Sequence, residues 1–219
     1  MEILHEGSRA ASVKLAQRLL NKKGAAPRLA EDGAFGPKTL AAVRAFQAHE
    51  HLLQDGVVGP ATWGRLGITI DITHAVRLFG QPTGMTCWSA AATMIVGNAS
   101  IGPGAAALGA SGGLIPSAQN VEVFARGMGW RMHYPQSWTI PGLANVMRRK
   151  PVWVVGGGIG WLHAVVLSGL WSDGAGDGSG TLLRIHDPWP PGVGSVYARF
   201  YRGTVDGFDF ISLYLLEPA

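Results

Sequence analysis

The spacing of apolar residues in the first third of the chain predicts three helices. Val13, Ala16 and Leu20 fall on one face of the first, because residues three and four positions apart lie on the same side of a helix. The apolar positions of the second and third are Leu40, Val43, Phe46, Trp63 and Leu66. We therefore expect a three-helix domain over residues 1–67, near the lower size limit for a self-standing core.

The remainder of the chain mixes helical spacing with strand-like alternation. Apolar residues at helical spacing predict three more helices, with Trp88, Ala91, Ala92 and Ile95 in the first, Val121 and Phe124 in the second, and Leu143, Val146 and Met147 in the third. Strands are predicted at about 68–73, 151–156, 161–170, 181–187, 195–202 and 209–216. Helices followed by an antiparallel sheet indicate an α+β fold.

An internal repeat lies within the three-helix region. The segment Asp32-Gly33-Ala34-Phe35-Gly36-Pro37-Lys38-Thr39 recurs as Asp55-Gly56-Val57-Val58-Gly59-Pro60-Ala61-Thr62. Each copy is typical of a tight turn that leads into a helix, since Asp-Gly tolerates positive φ and proline suits the first helical position. A doubled motif at a fixed offset is a specific signal.

This first region resembles the peptidoglycan-binding domain that accompanies many bacterial wall hydrolases. The resemblance covers roughly residues 3–67 and is carried by the two repeats together with Gly7-Ser8, Val13, Gln17, Leu20, Phe46-Gln47 and Trp63. It implies binding to wall peptide or glycan; a helical domain without a ligand is the alternative. Residues 68–80 are interpreted as a connector.

Composition narrows the class of protein. The chain of 219 residues is 47% hydrophobic and 15% charged, which indicates a packed fold rather than disorder. The net charge of +4 suits an anionic polymer but equally an ordinary surface. We expect no membrane span, no nucleic-acid partner, no metal site and no cofactor, because the apolar runs are short and the histidines are scattered.

The single cysteine is the strongest candidate for chemistry. Cys87 is predicted at the first turn of a helix, where the helix dipole and unpaired N–H groups favour a thiolate. Its own backbone N–H points to where an oxyanion would form, and the side-chain amide of Gln81 is a second candidate donor.

A thiol nucleophile needs a base and an orienting group. His163 lies in the apolar strand predicted at 161–170, and Asp187 ends the strand predicted at 181–187. If these strands form a hairpin, His163 comes level with Asp187, and we expect the carboxylate to hold Nδ1–H of the ring. His186 is discounted, since strand alternation points it to the opposite face.

These residues resemble the papain-like cysteine peptidases, most closely the short bacterial branch with bacteriocin-leader peptidases and peptidase effectors of plant pathogens. The resemblance spans roughly residues 76–216 and is carried by Gln81-Pro82, Cys87-Trp88-Ser89-Ala90-Ala91, His163-Ala164-Val165-Val166 and Asp187-Pro188-Trp189-Pro190-Pro191-Gly192. It implies a papain-like domain over residues 81–219, with Cys87 as nucleophile, His163 as base then acid, Asp187 as orienting residue and Gln81 in the oxyanion hole. Met85-Thr86 before the cysteine, Asp in place of Asn, and a Gly-rich insert over Ser172–Gly180 depart from the plant and lysosomal enzymes.

Together the two resemblances predict a cysteine peptidase or amidase that hydrolyses amide bonds in peptidoglycan peptides and is held on the wall by its first domain. Residues Glu2, His5 and Glu6 do not form a secretory signal. Cytosolic action, export by another route or an already shortened sequence would each account for this. Among these we expect a bacterial antibacterial effector, delivered to the periplasm or wall with an immunity protein as partner. The alternatives are a protein-cleaving peptidase toxin and a non-catalytic wall-binding adaptor.

Overall fold

The structure, a computed structural model, describes residues 1–97, 100–158, 161–201, 204–205, 208–209 and 213–219. Within these ranges it contains six helices, which are α1 (Ala11–Lys22), α2 (Pro37–His49), α3 (Pro60–Leu66), α4 (Cys87–Val96), α5 (Ala118–Gly127) and α6 (Ile140–Met147). The first three are those predicted from apolar spacing, and α4 to α6 contain the apolar residues predicted for the second region.

One large sheet dominates the second region. The described strands are β1 (Ile70–Thr73), β2 (Arg131–His133), β3 (Val152–Gly158), β4 (Trp161–Ser172), β5 (Thr181–Asp187), β6 (Ser195–Phe200), β7 (Thr204–Val205), β8 (Phe208–Asp209) and β9 (Tyr214–Glu217). The sheet order is β2-β9-β3-β4-β5-β6, with β1 paired to β4, while β7 and β8 form a separate ribbon. The pairs β2–β9, β3–β4 and β3–β9 are antiparallel. The α+β prediction is confirmed.

The strand predicted at 209–216 differs from the structure. Its two ends belong to β8 and β9, and its middle falls on residues outside the described ranges. Similarly, β4 runs to Ser172, two residues beyond the predicted end, because Ser172 is fully buried and its hydroxyl lies 2.7 Å from that of Thr181 across the hairpin.

Two compact units divide the chain. The first comprises residues 1–71, 170–182 and 198–202, and the second comprises residues 72–169, 183–197 and 203–219. The first unit thus includes the far end of the β4–β5 hairpin as well as the three helices. The predicted boundaries of 1–67, 68–80 and 81–219 stay predictions.

The repeat builds two copies of one hydrogen-bonded turn in the first unit. In the first copy, Nε2 of the buried Gln17 donates to Asp32, Thr39 and the carbonyl of Ala34, while Oε1 accepts from the N–H of Gly33. Gln47 makes the corresponding four bonds in the second copy, to Asp55, Thr62, Val57 and Gly56. Both glycines have φ of 76°, which explains why each turn needs Asp-Gly.

The hairpin end packs within the same unit as the helices. Trp171 and Leu182 are buried in one apolar cluster with residues of α1, α2 and α3. Lys22 of α1 forms an ion pair with Asp173 at 2.9 Å, and Arg18 donates to the carbonyl of Ser179 at 2.6 Å. The insert after β4 is therefore held by α1.

The core of the second unit surrounds α4. Trp88 of α4 meets Phe124 of α5 edge to face with ring centroids 5.6 Å apart, and Trp153 of β3 donates its indole N–H to the carbonyl of Trp88. These aromatic residues are buried, and each contributes a large apolar area to the core. The packing fixes the start of α4 against the central strands β3 and β4.

Candidate active site

Cys87 begins α4, as predicted. The residue before it, Thr86, caps the helix without a side-chain bond to the helix, since its hydroxyl donates instead to the carbonyl of Thr83. The thiol is 5% exposed, and its sulfur lies 3.7 Å from the carbonyl oxygen of Leu162 on β4. The sulfur is thereby placed next to the residue that precedes His163.

His163 connects the thiol to a carboxylate. Its pKa is raised by both the Cys87 thiol and the Asp187 carboxylate, and its Nε2 lies 2.9 Å from Oδ1 of Asp187. The residue opposite His163 on β3 is Gly156, which leaves the space beside the imidazole free of a side chain. The structure therefore brings together three of the four predicted site residues.

The expectation that Asp187 would meet Nδ1 was wrong, because the contact is made by Nε2. Nε2 is the ring nitrogen farther from Cβ, so it can reach the carboxylate at the end of the neighbouring strand β5. Nδ1 is then the nitrogen left for the sulfur. Strand spacing places two residues level but does not determine which edge of a ring faces the partner.

The electrostatics of this group favour an imidazolium. Burial alone would lower the pKa of His163, but its hydrogen bonds to Asp187 and Cys87, with the charges of both groups, raise the pKa to about 10. Burial would raise the pKa of Asp187, and the hydrogen bonds from His163 and the N–H of Trp189 lower it instead. At neutral pH a positive ring beside a negative carboxylate is the stable state, which suits a thiolate–imidazolium pair.

Asp187 is held by its own local turn. Its Oδ1 accepts from the N–H of Trp189 at 2.8 Å, and its Oδ2 accepts from the hydroxyl of Tyr197 on β6 at 3.3 Å. Tyr197 was not predicted, since a tyrosine ten residues downstream carries no local signal before the β5–β6 connection is known.

Gln81 is positioned by backbone contacts. Its N–H donates to the carbonyl of Pro188, and its carbonyl accepts from the N–H of Gly192. A Cβ at Gly80 would collide with the backbone of Gly192 and Val193, so this close approach requires glycine. The segment before Cys87 is thus fastened to the loop after Asp187.

The side chain of Gln81 is buried, and its amide nitrogen already donates a hydrogen bond within the protein. Nε2 donates to the carbonyl of Thr83 at 2.6 Å, while Oε1 has no hydrogen-bond partner among the described residues. A side-chain amide carries two N–H groups, so one remains after the bond to Thr83. The role in an oxyanion hole stays a prediction.

His186, next to Asp187, has separate partners. Its Nδ1 lies 2.9 Å from the hydroxyl of Ser168, and its Nε2 lies 3.1 Å from the carbonyl of Val76. Burial, with the charge of Arg184, lowers its pKa to about 4. A ring that stays neutral and fully hydrogen bonded fits a structural residue.

A cavity of about 110 Å³ adjoins Cys87. Most of its walls are apolar, and the lining residues include Met85, Trp88, Leu114, Ile115, Val155 and Ala164. The loop that carries Leu114 is tied to α4, because the indole N–H of Trp88 donates to the carbonyl of Gly112. Sequence reasoning missed this loop, whose only signal was its glycine content.

The described part of the chain contains no group of three or more His, Cys, Asp and Glu side chains that could hold a metal ion. None of its helices is long and apolar enough to span a membrane.

Comparison with known proteins gives relatives that match about a third of the chain. Over 64 residues the chain is 44% identical to the zinc D-Ala-D-Ala carboxypeptidase of Streptomyces albus G, which is 29% of this chain and 25% of that protein. A Burkholderia AP3 phage endolysin is 45% identical, with 30% of this chain and 24% of that one covered and a TM-score of 0.28. A fused Zn-dependent amidase, peptidase and peptidoglycan-binding protein of Clostridium acetobutylicum is 36% identical, with 38% and 37% covered and a TM-score of 0.29. The chain thus spans well under half the length of each.

Two family models match consecutive parts of the chain. The model of a peptidoglycan binding domain matches residues 9–66, in agreement with the resemblance of the first region. The model of the papain-like cysteine protease AvrRpt2 matches residues 67–200, which is more than half of the chain and contains all four predicted site residues. Behind an N-terminal peptidoglycan-binding domain, the chain belongs to the family of the papain-like cysteine protease AvrRpt2.

Proposed function

We propose that the protein hydrolyses amide bonds in the peptides of bacterial peptidoglycan, with Cys87 as nucleophile. The observation that carries the proposal is the position of His163, whose Nε2 lies 2.9 Å from Oδ1 of Asp187 and which follows Leu162, the residue whose carbonyl oxygen lies 3.7 Å from the Cys87 sulfur. A nucleophile joined to a base that a third group orients is the arrangement that acyl transfer requires.

The reaction would proceed in two steps. The Cys87 sulfur, its proton taken by His163, attacks the carbonyl carbon; the C–N bond then breaks as His163 returns the proton to the leaving nitrogen, and a thioester remains. Water, deprotonated by His163, attacks the thioester; the C–S bond breaks and the thiolate–imidazolium pair is restored. Asp187 keeps the ring in position and stabilises its charge in both steps.

Two N–H groups are candidates for donating hydrogen bonds to the oxygen of the reacting carbonyl. The backbone N–H of Cys87 lies in the first turn of α4, where N–H groups have no partner within the helix. The remaining N–H of Gln81 is the second candidate donor. The apolar cavity beside Cys87 is suited to a small side chain of the substrate, since its volume of about 110 Å³ leaves room for little more.

Wall peptide is the preferred substrate because the first region matches a peptidoglycan binding domain. The relative from Streptomyces albus G, named as a D-Ala-D-Ala carboxypeptidase, supports the same substrate class. A binding domain on the same chain raises the local concentration of substrate around the catalytic unit. Association with the bacterial cell wall follows from the same proposal. Delivery as an antibacterial effector, secretion and an immunity partner stay predictions.

Digestion of purified sacculi tests the proposal. Wild-type protein should release soluble peptide-containing fragments, identified by mass spectrometry, and Cys87→Ala should release none while still binding the sacculi. Intact sacculi after prolonged incubation with folded, thiol-reactive wild-type protein would overturn it.

A second candidate is a peptidase that cleaves proteins, and the AvrRpt2 family match favours it. Incubation with a bacterial cell extract separates the two functions. Discrete protein fragments that require Cys87, together with intact sacculi, would replace wall peptide by protein as the substrate.

The non-catalytic adaptor is tested at the thiol itself. In that case iodoacetamide would alkylate Cys87 no faster at neutral pH than a cysteine in a short peptide, and His163→Gln would leave the rate unchanged. For the hydrolase we expect enhanced alkylation that His163→Gln abolishes.

A further inference from the structure

The first unit contains a larger cavity that the proposed chemistry does not use. It has a volume of about 590 Å³ and lies between the end of α1, the loop 23–27 and one face of α2. This volume falls within the range of roughly 300–1,000 Å³ that is usual for sites of small ligands. The lining residues on α2 are Lys38, Ala41, Ala42, Ala45, Phe46 and His49.

Spacing along α2 explains the shape of this cleft. Its lining residues recur three and four positions apart, so they form one continuous face of the helix. Alanine occupies three of these positions, and Ala41 and Ala45 are exposed. The helix therefore presents an open floor with side chains no larger than a methyl group at its centre.

Positive charge borders this floor. Lys38 at the start of α2 and Lys23 after α1 both line the cleft and are exposed, and neither forms an ion pair within 4 Å among the described residues. The acidic residue of the lining, Glu50, has a cationic partner of its own, Arg65 at 3.9 Å. The charge that remains for a ligand is positive.

We infer that this cleft binds the free carboxyl end of an alanine-terminated wall peptide. Methyl side chains match the alanine floor, and a terminal carboxylate complements Lys23 and Lys38. Glycan is the less suitable part of the wall polymer, since the one aromatic ring in the lining, Phe46, is only 8% exposed and offers little surface to a sugar. The inference rests on the proposed function, because it names the part of the wall that the first unit recognises.

Binding is measured with the full chain carrying Cys87→Ser, so that no peptide is consumed. The probe is N-acetylated L-Lys-D-Ala-D-Ala, and its C-terminal amide serves as the matched ligand without a carboxylate. We expect calorimetry or NMR titration to show the amide binding ~10-fold more weakly or worse, because it lacks the charge that pairs with the lysines.

Two pairs of variants test whether the peptide binds in this cleft. Ala45→Trp fills the floor and should abolish peptide binding, whereas Ala48→Trp places the same ring on an exposed position of α2 outside the cleft and should have no effect. Lys38→Glu should weaken binding ~10-fold or more. Arg9→Glu makes the same charge change at an exposed residue outside the cleft and should leave the affinity unchanged.

The outcomes separate this inference from the proposed function. Equal binding of acid and amide, or unchanged binding in Ala45→Trp, overturns the inference even if sacculi are digested. Binding of a peptide-free disaccharide that Ala45→Trp abolishes would assign the cleft to glycan and overturn it as well. Loss of sacculus digestion in Cys87→Ala tests only the chemistry, since that substitution leaves the cleft intact.

Discussion

The two compact units both bury polar side chains, but these side chains make different kinds of hydrogen bond in the two units. In the first unit, Gln17 and Gln47 use both ends of their amides on partners within their own repeat. In the second, His163 lies between a carboxylate and a thiol that are distant in sequence. The satisfied amides hold turns, whereas the His163 ring is placed to serve as the proposed base for Cys87.

The same contrast recurs between two histidines of the second unit. Burial lowers the pKa of both rings, but His163 faces an anion and His186 faces a hydroxyl and a carbonyl. At His163, but not at His186, the Asp187 carboxylate and the Cys87 thiol reverse the effect of burial on the pKa. Partners, rather than burial, thus separate a charged ring from a neutral one.

Removal of the proposed base, His163, should have the largest effect on activity. His163→Gln should lower kcat/KM for amide hydrolysis by about 10³-fold or more, because no other group then takes the thiol proton. The measurement is the rate on sacculi and on a soluble peptide. His133→Gln is the matched control, since His133 also lies 2.9 Å from a carboxylate, that of Glu217, on strands outside the site. Equal losses in both variants would contradict a special role for His163.

The repeat turns offer the largest effect on stability. Gln47→Ala should lower the free energy of unfolding of the first unit by about 3 kcal/mol, because the N–H of Gly56 and its neighbours lose their buried partner. Gln17→Ala should act similarly. Urea unfolding of the full chain measures this, with the exposed Gln54→Ala as control. A loss below about 0.5 kcal/mol would show that the amides do not hold the turns.

Asp187 tests what the carboxylate contributes. Asp187→Asn should lower kcat/KM by roughly 10–100-fold, because the ring loses the charge that stabilises its imidazolium. The pKa of His163, raised to about 10 in the wild type, should fall. Consequently the alkaline limit of Cys87 alkylation should move to lower pH. An unmoved pH profile would mean that Asp187 does not set the charge of the ring.

The smallest expected effect concerns His186 and acid. Its folded-state pKa of about 4 lies below the ordinary value of 6.5, so the unfolded chain binds more protons as pH falls through this window. The fully buried ring should therefore cost the protein about 2 kcal/mol of stability between pH 7 and pH 5. His163 adds no loss there, because a raised pKa gives stability that is lost only toward higher pH.

Urea midpoints at the two pH values measure this effect in the wild type and in His186→Gln. The variant keeps a polar side chain but cannot titrate, so its midpoint should change less with pH. A variant that loses as much stability as the wild type would assign the acid sensitivity to other groups.

Much of this arrangement could be predicted from local signals. The repeat specified two turns because aspartate, glycine and proline each have a positional requirement, and apolar spacing located α4 with Cys87 at its first turn. The order of β4 and β5 was enough to bring His163 level with Asp187.

What could not be predicted depends on tertiary contacts. The ring edge that His163 turns to Asp187, the bond from Gln81 to Thr83 and the hydroxyl of Tyr197 are set by neighbours many residues away. The loop through Leu114 lines the cavity beside Cys87 only because Trp88 ties it to α4. The spacing of residues in the sequence does not predict these contacts.

The far end of the β4–β5 hairpin has a consequence for how this protein could have been assembled. Trp171 and Leu182 are 2% and 0% exposed, and they are buried in the cluster that contains the three helices. A shortened chain that begins at the border between the two family matches would lack the helices that bury these side chains. The apolar surface exposed in this way would be prone to aggregation. Exchange of the front segment for an unrelated one would therefore need matching changes at Trp171 and Leu182.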